Sequence, residues 1–217
     1  MKQSEKTLRI DIVSDVVCPW CVIGHRQLAE ALKQTNTAYT IHWHPFELNT
    51  NMPAEGQNLR EHIIEKYGST KQESDASRKR MTEAGREVGF DFNFNDDTRM
   101  HNTFNLHQLL HFADQQGRMH DLKQALFVAH FTNNRDISDI NVLADIAAET
   151  GLDRSEALAV LEGQFFAQEV RAEEQHWQQQ GIQSVPAIIF NERHLVSGAQ
   201  GVDNYLNILE QLANMPD

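Results

Sequence analysis

Both cysteines of the 217-residue chain fall in one short stretch, VVCPWCVIG at residues 16–24, with Pro19 and Trp20 between them. Cys18 and Cys21, three positions apart, suit three chemistries: a structural disulfide, half of a zinc site, or a dithiol–disulfide redox centre. Zinc needs two further ligands, and the chain has no second cysteine pair. Among its eleven histidines, His107 and His111 share a helix face and His42 and His44 share a strand face. Histidine-rich helical sequences produce such spacings by chance, and nothing in the sequence places these residues near the cysteines. The zinc and structural-disulfide readings stay open as alternatives. The redox reading makes a demand of its own: a thiol attacks as its thiolate, so something must favour the anion.

The elements around the pair meet that demand. Leu8 to Ser14 alternates like a strand, and Val22, Leu28, Ala29 and Leu32 recur at helical spacing, which predicts a helix from about Pro19 to Lys33. Proline is well tolerated at a first helical turn, where its missing N–H has no partner to lose. Cys18 then lies at the helix N-terminus, where unpaired N–H groups and the helix dipole favour an anion. Thiols in such settings have pKa values of roughly 3.5–7.5. Cys21 falls one turn inside. The pattern predicts an exposed, attacking Cys18 and a more buried, resolving Cys21.

Further along, YTIHWHPFEL at Tyr39–Leu48 is β-rich, which completes a βαβ unit with parallel strands. From about Asn58 to Gln180 the apolar spacing is helical, with almost no strand signal. Leu106, Leu109, Leu110 and Ala113 form one stripe; Leu122, Ala125, Leu126 and Ala129 another; Ile140, Leu143, Ala144 and Ala147 a third. Gly117, Gly151 and Gly181 stand where helix C-caps belong, and the charged segment Thr70–Arg86 reads as a solvated helix. VPAIIF, NERH and LVSG then predict a β-hairpin, and Val202, Tyr205, Leu206 and Leu209 a final helix. The order βαβ, helical block, ββα fits one mixed sheet with the block inserted.

Composition narrows the function classes. The net charge is −12, with no basic run longer than Arg78–Arg80, which argues against a nucleic-acid partner. No run of eighteen apolar residues suggests a membrane span. The first residues carry charge but lack a secretory signal pattern, so the expected compartment is the reducing cytoplasm.

The motifs SDVVCPWCVIG, HWHPFELN, NTFNLHQLLHFA, LFVAHFTNNRDISD, SVPAIIF and VSGAQG, in this order, resemble the DsbA-like thioredoxin superfamily, and within it the FrnE-type branch of dithiol-disulfide oxidoreductases. The resemblance spans nearly the whole chain. It implies an α/β thioredoxin fold in a single domain, 1–217, with halves 1–55 and 182–217 around an all-helical insertion at 56–181. It also implies a cis Val185–Pro186 peptide against the cysteine turn. There the Val185 backbone is expected to pair with an extended substrate strand. Cys18 and Cys21 are then the catalytic pair, and Val185 and Pro186 substrate contacts; Trp20, between the cysteines, reads as a further substrate contact, since the site must be exposed to exchange, with a cover over the disulfide as its other reading. DsbA carries a histidine where this chain has Trp20, so its strongly oxidising behaviour is not expected to transfer.

The implied partners are protein or small-molecule thiols and disulfides. No metal or organic cofactor is needed, and recycling by glutathione or another small dithiol is compatible. Three other residues have local explanations: Asp15 as a cap or turn residue, with proton transfer to Cys21 as its sharper role; His25 as a solvated helix residue; and Phe46–Asn49 as a strand exit. Two other functions compete. One is a glutathione-dependent transferase or isomerase of the kappa-class or hydroxychromene-carboxylate isomerase type, using the helix N-terminus at Gly198–Val202 for a carboxylate. The other is a non-catalytic peptide- or zinc-binding module.

Overall fold

The computed structural model describes residues 7–215. Strand β1 (Leu8–Ser14) lies inside a four-stranded sheet. Strand β2 (Tyr39–Pro45) pairs with it in parallel, setting Ile10 beside Ile41 and Ile12 beside Trp43. On its other side runs β5 (Ala187–Phe190), antiparallel, with Ile12 beside Ile188, and β6 (His194–Ser197) closes that edge as the second arm of a hairpin. The order is β2-β1-β5-β6. Parallel neighbours need a long crossover, and helix α1 (Pro19–Gln34) supplies it.

Both faces of β1 are covered, which explains its nearly continuous apolar run. On one face Ile10, Ile12, Ile188 and Phe190 join the core of α1, whose Val22, Ile23, Leu28 and Leu32 are fully or almost fully buried. On the other, Val13, Ala187 and Ile189 form a smaller cluster with Ile182, against which Trp177 packs. Truncating a residue such as Leu28 to alanine costs about 2–5 kcal/mol at sites of this kind.

Between β2 and β5 run α2 (Leu59–Tyr67), α3 (Lys71–Glu87), α4 (Phe104–Asp114), α5 (Met119–Phe127), a π-helical turn (Val128–Thr132), α6 (Ile140–Glu149), α7 (Arg154–Gly163) and α8 (Ala167–Gln179). Helices α5 and α8 rest on β2 and cover that edge of the sheet. The segment also holds a two-residue ladder, β3 (Gln57–Asn58) against β4 (Arg99–Met100), too short to leave a period in the sequence. Gly117, Gly151 and Gly181 each follow a helix end with positive φ, the backbone that glycine adopts without penalty. Helix α3 starts at a Thr70–Glu73 capping box and stays mostly exposed, as its charge predicts. The last helix among the described residues is α9 (Val202–Asn214), packed on α1. No described helix is long and apolar enough to cross a membrane.

Candidate functional site

Cys18 is the N-cap of α1, with extended backbone and Pro19 in the first turn. Its N–H donates to the Asp15 carbonyl (3.3 Å), and its own carbonyl accepts from the Cys21 N–H (3.1 Å). No side chain caps the helix, so the positive end of its dipole is turned toward the Cys18 sulfur. Cys21 lies beneath and is wholly buried. Both cysteines are free thiols. Burial pushes the Cys21 thiol well above its ordinary range; its hydrogen bond to Cys18 adds to this, and the Asp15 backbone and the Lys123 charge oppose it.

The expected exposure of Cys18 is corrected: only 4% of it is accessible. The strand-entry loop of β5 lies over it, and the Cys18 thiol donates to the Val185 carbonyl at 3.7 Å. The Val185–Pro186 peptide is cis. Val185 is half-buried, and its N–H makes no backbone hydrogen bond among the described residues. The Pro186 carbonyl accepts from Gly198 N–H at 2.7 Å. Gly24 lets this loop close, because a Cβ there would meet both the Pro186 ring and the Ala199 backbone at 3.3 Å. Trp20, 41% exposed, lies between the two cysteines in sequence and turns outward. The structure thus brings Cys18, Cys21 and Val185 together and leaves Trp20 at the surface beside them.

The surroundings of Cys21 differ. Asp15 opens the turn into Cys18, as expected, but its carboxyl is fully buried: Oδ2 accepts from Leu48 N–H (2.8 Å), and Oδ1 lies 3.5 Å from His107 Nε2. Burial pushes the Asp15 carboxyl up, yet the contact with His107, the Leu48 N–H and the charge of Lys123 hold it below its usual range. His107 donates through Nε2 to the Phe46 carbonyl at 3.1 Å. The strand exit is therefore part of this wall, with Glu47 buried in it.

Lys123, on α5, is 1% exposed and packs its ammonium 5.5 Å from the Trp43 ring and 5.3 Å from Phe127. Burial pulls its pKa down to about 8, against the opposing pull of Cys21, Asp15 and Cys18. Sequence patterning missed this residue. The signal was a lysine followed at helical spacing by Leu126 and Phe127, inside the buried face rather than opposite it. His25 is also corrected. It is buried against Trp43 (5.0 Å between ring centres) and His120 (5.4 Å), because the inserted helices cover that face of α1. Burial, with the nearby His120, Arg26 and Lys123, lowers its pKa to about 3.

No group of three or more metal-ligating side chains converges among the described residues. At α9 the Gly201 N–H already donates to Gln27 Oε1 (2.9 Å), so the helix start proposed as a carboxylate site is partly occupied by the chain itself.

The chain belongs to the DSBA-like thioredoxin domain family, whose model matches residues 9–210. A Streptomyces coelicolor structure described as a probable DsbA oxidoreductase superposes with a TM-score of 0.91, at 29% identity over 97% of this chain and 92% of its own. The cytosolic disulfide reductase DsbM of Pseudomonas aeruginosa, solved with GSH, gives 0.66 at 16% identity, covering 95% of this chain and 100% of that one. The uncharacterized protein YwbO of Bacillus subtilis is 26% identical over 91% of this chain and 93% of its own. The thioredoxin-like fold with its helical insert, expected from the resemblance, is thereby established.

Proposed function

We propose that this protein is a thiol–disulfide oxidoreductase of the disulfide reductase or isomerase type, working through Cys18 and Cys21. The observation that carries the reading is the placement of two free thiols in the first turn of α1, one of them against the Val185 carbonyl. Cys18 as thiolate attacks one sulfur of a substrate disulfide, forming a mixed disulfide and releasing one substrate thiolate. Cys21 loses its proton and attacks the Cys18 sulfur. The Cys18–Cys21 bond forms, the second substrate thiolate leaves, and two electrons have passed from the protein pair to the substrate. A thiol or small dithiol reverses the process.

Val185 and Pro186 shape the docking edge. The N–H and C=O of Val185 suit an extended substrate segment laid across Cys18, and Trp20 supplies an apolar surface beside it. The substrates are disulfides of proteins or small molecules, and no metal or organic cofactor takes part. Glutathione is the recycling thiol we favour, a choice supported by the GSH in the Pseudomonas relative, whose cytosolic setting also supports a reducing compartment. With an indole rather than an imidazole between the cysteines, the pair is less oxidising than that of DsbA, about −120 mV.

Equilibration with glutathione buffers, followed by mass spectrometry, tests this. Reversible formation of a Cys18–Cys21 disulfide, with a Cys21→Ser variant trapping substrate on Cys18, is the expected result. A pair that never exchanges, or mixed disulfides formed on Cys21, would overturn the assignment.

A further inference from the structure

A second cleft, of about 160 Å³, opens between the segment that leads into α4 and the turn that follows α5. One wall runs from Asn95 through β4 to His101, and the other from His130 in the π-helical turn to Asp136. The exchange chemistry above uses none of these residues. The second wall is HFTNNRD, residues 130–136, part of a motif that the cysteines leave unexplained. Pockets for drug-sized ligands measure roughly 300–1,000 Å³, so an occupant here is small.

Backbone bonds fix the walls. The helix widens at Val128–Thr132, where Asn133 N–H reaches back five positions to the Val128 carbonyl at 2.9 Å. Such π-helical turns are frequent at functional sites. Thr132 donates to the Asp91 carbonyl at 2.7 Å, and the Asn134 amide to the Asn93 carbonyl at 3.0 Å. At the floor, His101 and His130 are 6% and 5% exposed, with their rings edge to face and 5.5 Å between centres. His101 Nδ1 is buried without a hydrogen-bond partner, and Asp136 Oδ1 on the facing wall stands 3.7 Å away, too far for a bond. A buried polar atom left in this way is costly, and a ligand that meets it recovers the loss. Burial lowers the pKa of both imidazoles, that of His130 to about 3, so the floor is uncharged at pH 7.

The charges stand higher up. Each wall carries one acid and one base: Asp97 and Arg99 on the first, Asp136 and Arg135 on the second. Among the described residues no ion pair joins these four. Arg99 instead spends Nη2 on the Glu55 and Gly56 carbonyls (2.8 and 3.1 Å), and Arg135 spends Nη1 on Glu149 of α6 (2.8 Å). Asp136 Oδ1 accepts from the backbone and hydroxyl of Ser138, which leaves Oδ2 without a donor. The two charges of each sign cancel, so net charge favours neither a bare anion nor a bare cation. A ligand carrying both signs is complementary to both.

We propose that this cleft binds a small zwitterion of the amino-acid type, with its carboxylate on Arg99 and Arg135 and its ammonium between Asp136 and His101. The remaining N–H groups of the two planar guanidinium forks suit a carboxylate. The ammonium donates to Asp136 Oδ2 and to the lone pair of His101 Nδ1, which satisfies the buried nitrogen. This binding is independent of the sulfur chemistry and gives the helical insertion a ligand of its own.

Calorimetric titration of the full-length protein with each of the twenty common amino acids tests the idea. At least one is expected to bind with a Kd below about 1 mM and to shift the ring signals of His101 and His130 in NMR spectra. The matching amine without the carboxylate, and the matching acid without the ammonium, should each bind about tenfold more weakly or worse, about 1.4 kcal/mol. Both comparisons use the wild type, so they hold however the variants fold. Arg99→Gln and Asp136→Asn should each weaken binding to a similar degree, with thermal unfolding and alkylation of Cys18 unchanged. No binding by any amino acid, analogues that bind as well as the parent, or full affinity in both variants would overturn the proposal. Binding of inorganic phosphate or of Zn²⁺ in place of every amino acid would overturn it too, and would assign the cleft to an ion.

Discussion

The two sulfurs of this site are neighbours in space and opposites in surroundings. Cys18 faces backbone and apolar groups: the Val185 carbonyl, the Pro186 loop and the outward Trp20. Cys21 faces charge: the Asp15 segment, Lys123, and beyond them His107, Glu47 and Glu174. For the proposed exchange reaction, the difference teaches that its two halves place unlike demands on the protein. The attacking sulfur needs a docking edge and a helix dipole. The resolving sulfur starts as a buried thiol and must lose its proton on demand, which takes a base and a nearby cation.

Changes on the Cys21 side should therefore spare attack and damage resolution. The largest such effect is expected from Asp15→Asn, which retains an acceptor for the Leu48 N–H but removes the buried carboxylate. Resolution of a Cys18 mixed disulfide should slow by about 100-fold, the low end for a lost proton-transfer group, and mixed disulfides should accumulate in acid-quenched samples. Equal rates in the two proteins would mean that Cys21 sheds its proton without Asp15.

Lys123→Met keeps volume and removes the cation. A loss of about tenfold in resolution is expected, one pKa unit at Cys21. The wild-type rate should also carry an inflection near pH 8, because Lys123 loses its charge there and stops favouring the Cys21 thiolate as pH rises. A pH titration of the single-turnover rate would show that inflection in the wild type and its absence in the methionine variant. An inflection common to both would assign it elsewhere.

The smallest effect is expected on the Cys18 side. Gly24→Ala gains helix propensity worth up to about 1 kcal/mol, yet it presses a methyl group on Pro186 and Ala199 at 3.3 Å. The loop must shift by a few tenths of an ångström. Attack on a peptide disulfide should fall a few-fold, with resolution unchanged and thermal stability within about 1 kcal/mol of wild type. A slowed resolution step would show that the two sulfurs are less separable than their environments suggest.

This contrast also separates what was legible in the sequence from what was not. Cys18 and Cys21 announced themselves by type, spacing and position at a helix start, and Pro186 by its motif. The sheet halves and the helical stripes followed from period. The charged wall around Cys21 did not, because Asp15, Glu47, His107, Lys123 and Glu174 come from five separate segments and each has an ordinary local explanation. His25 failed for the same reason: α1 alone gives no sign that the inserted helices bury its far side. The covered state of Cys18 was hidden too, since it depends on a loop that follows the whole insertion.

That loop has a consequence for synthesis. Cys18 and the carbonyl it meets are 167 positions apart. At about 5–20 residues per second, Val185 follows the cysteines out of the ribosome by about ten to thirty seconds. During that interval β1 has no β5 beside it, and the dithiol has neither its docking edge nor its cover. A nascent chain thus carries two thiols without the finished site around them, open to any oxidant it meets. Only the last segment, with its hairpin and α9, converts that exposed pair into a guarded one, so chains cut short before Val185 should present the cysteines as unselective thiols.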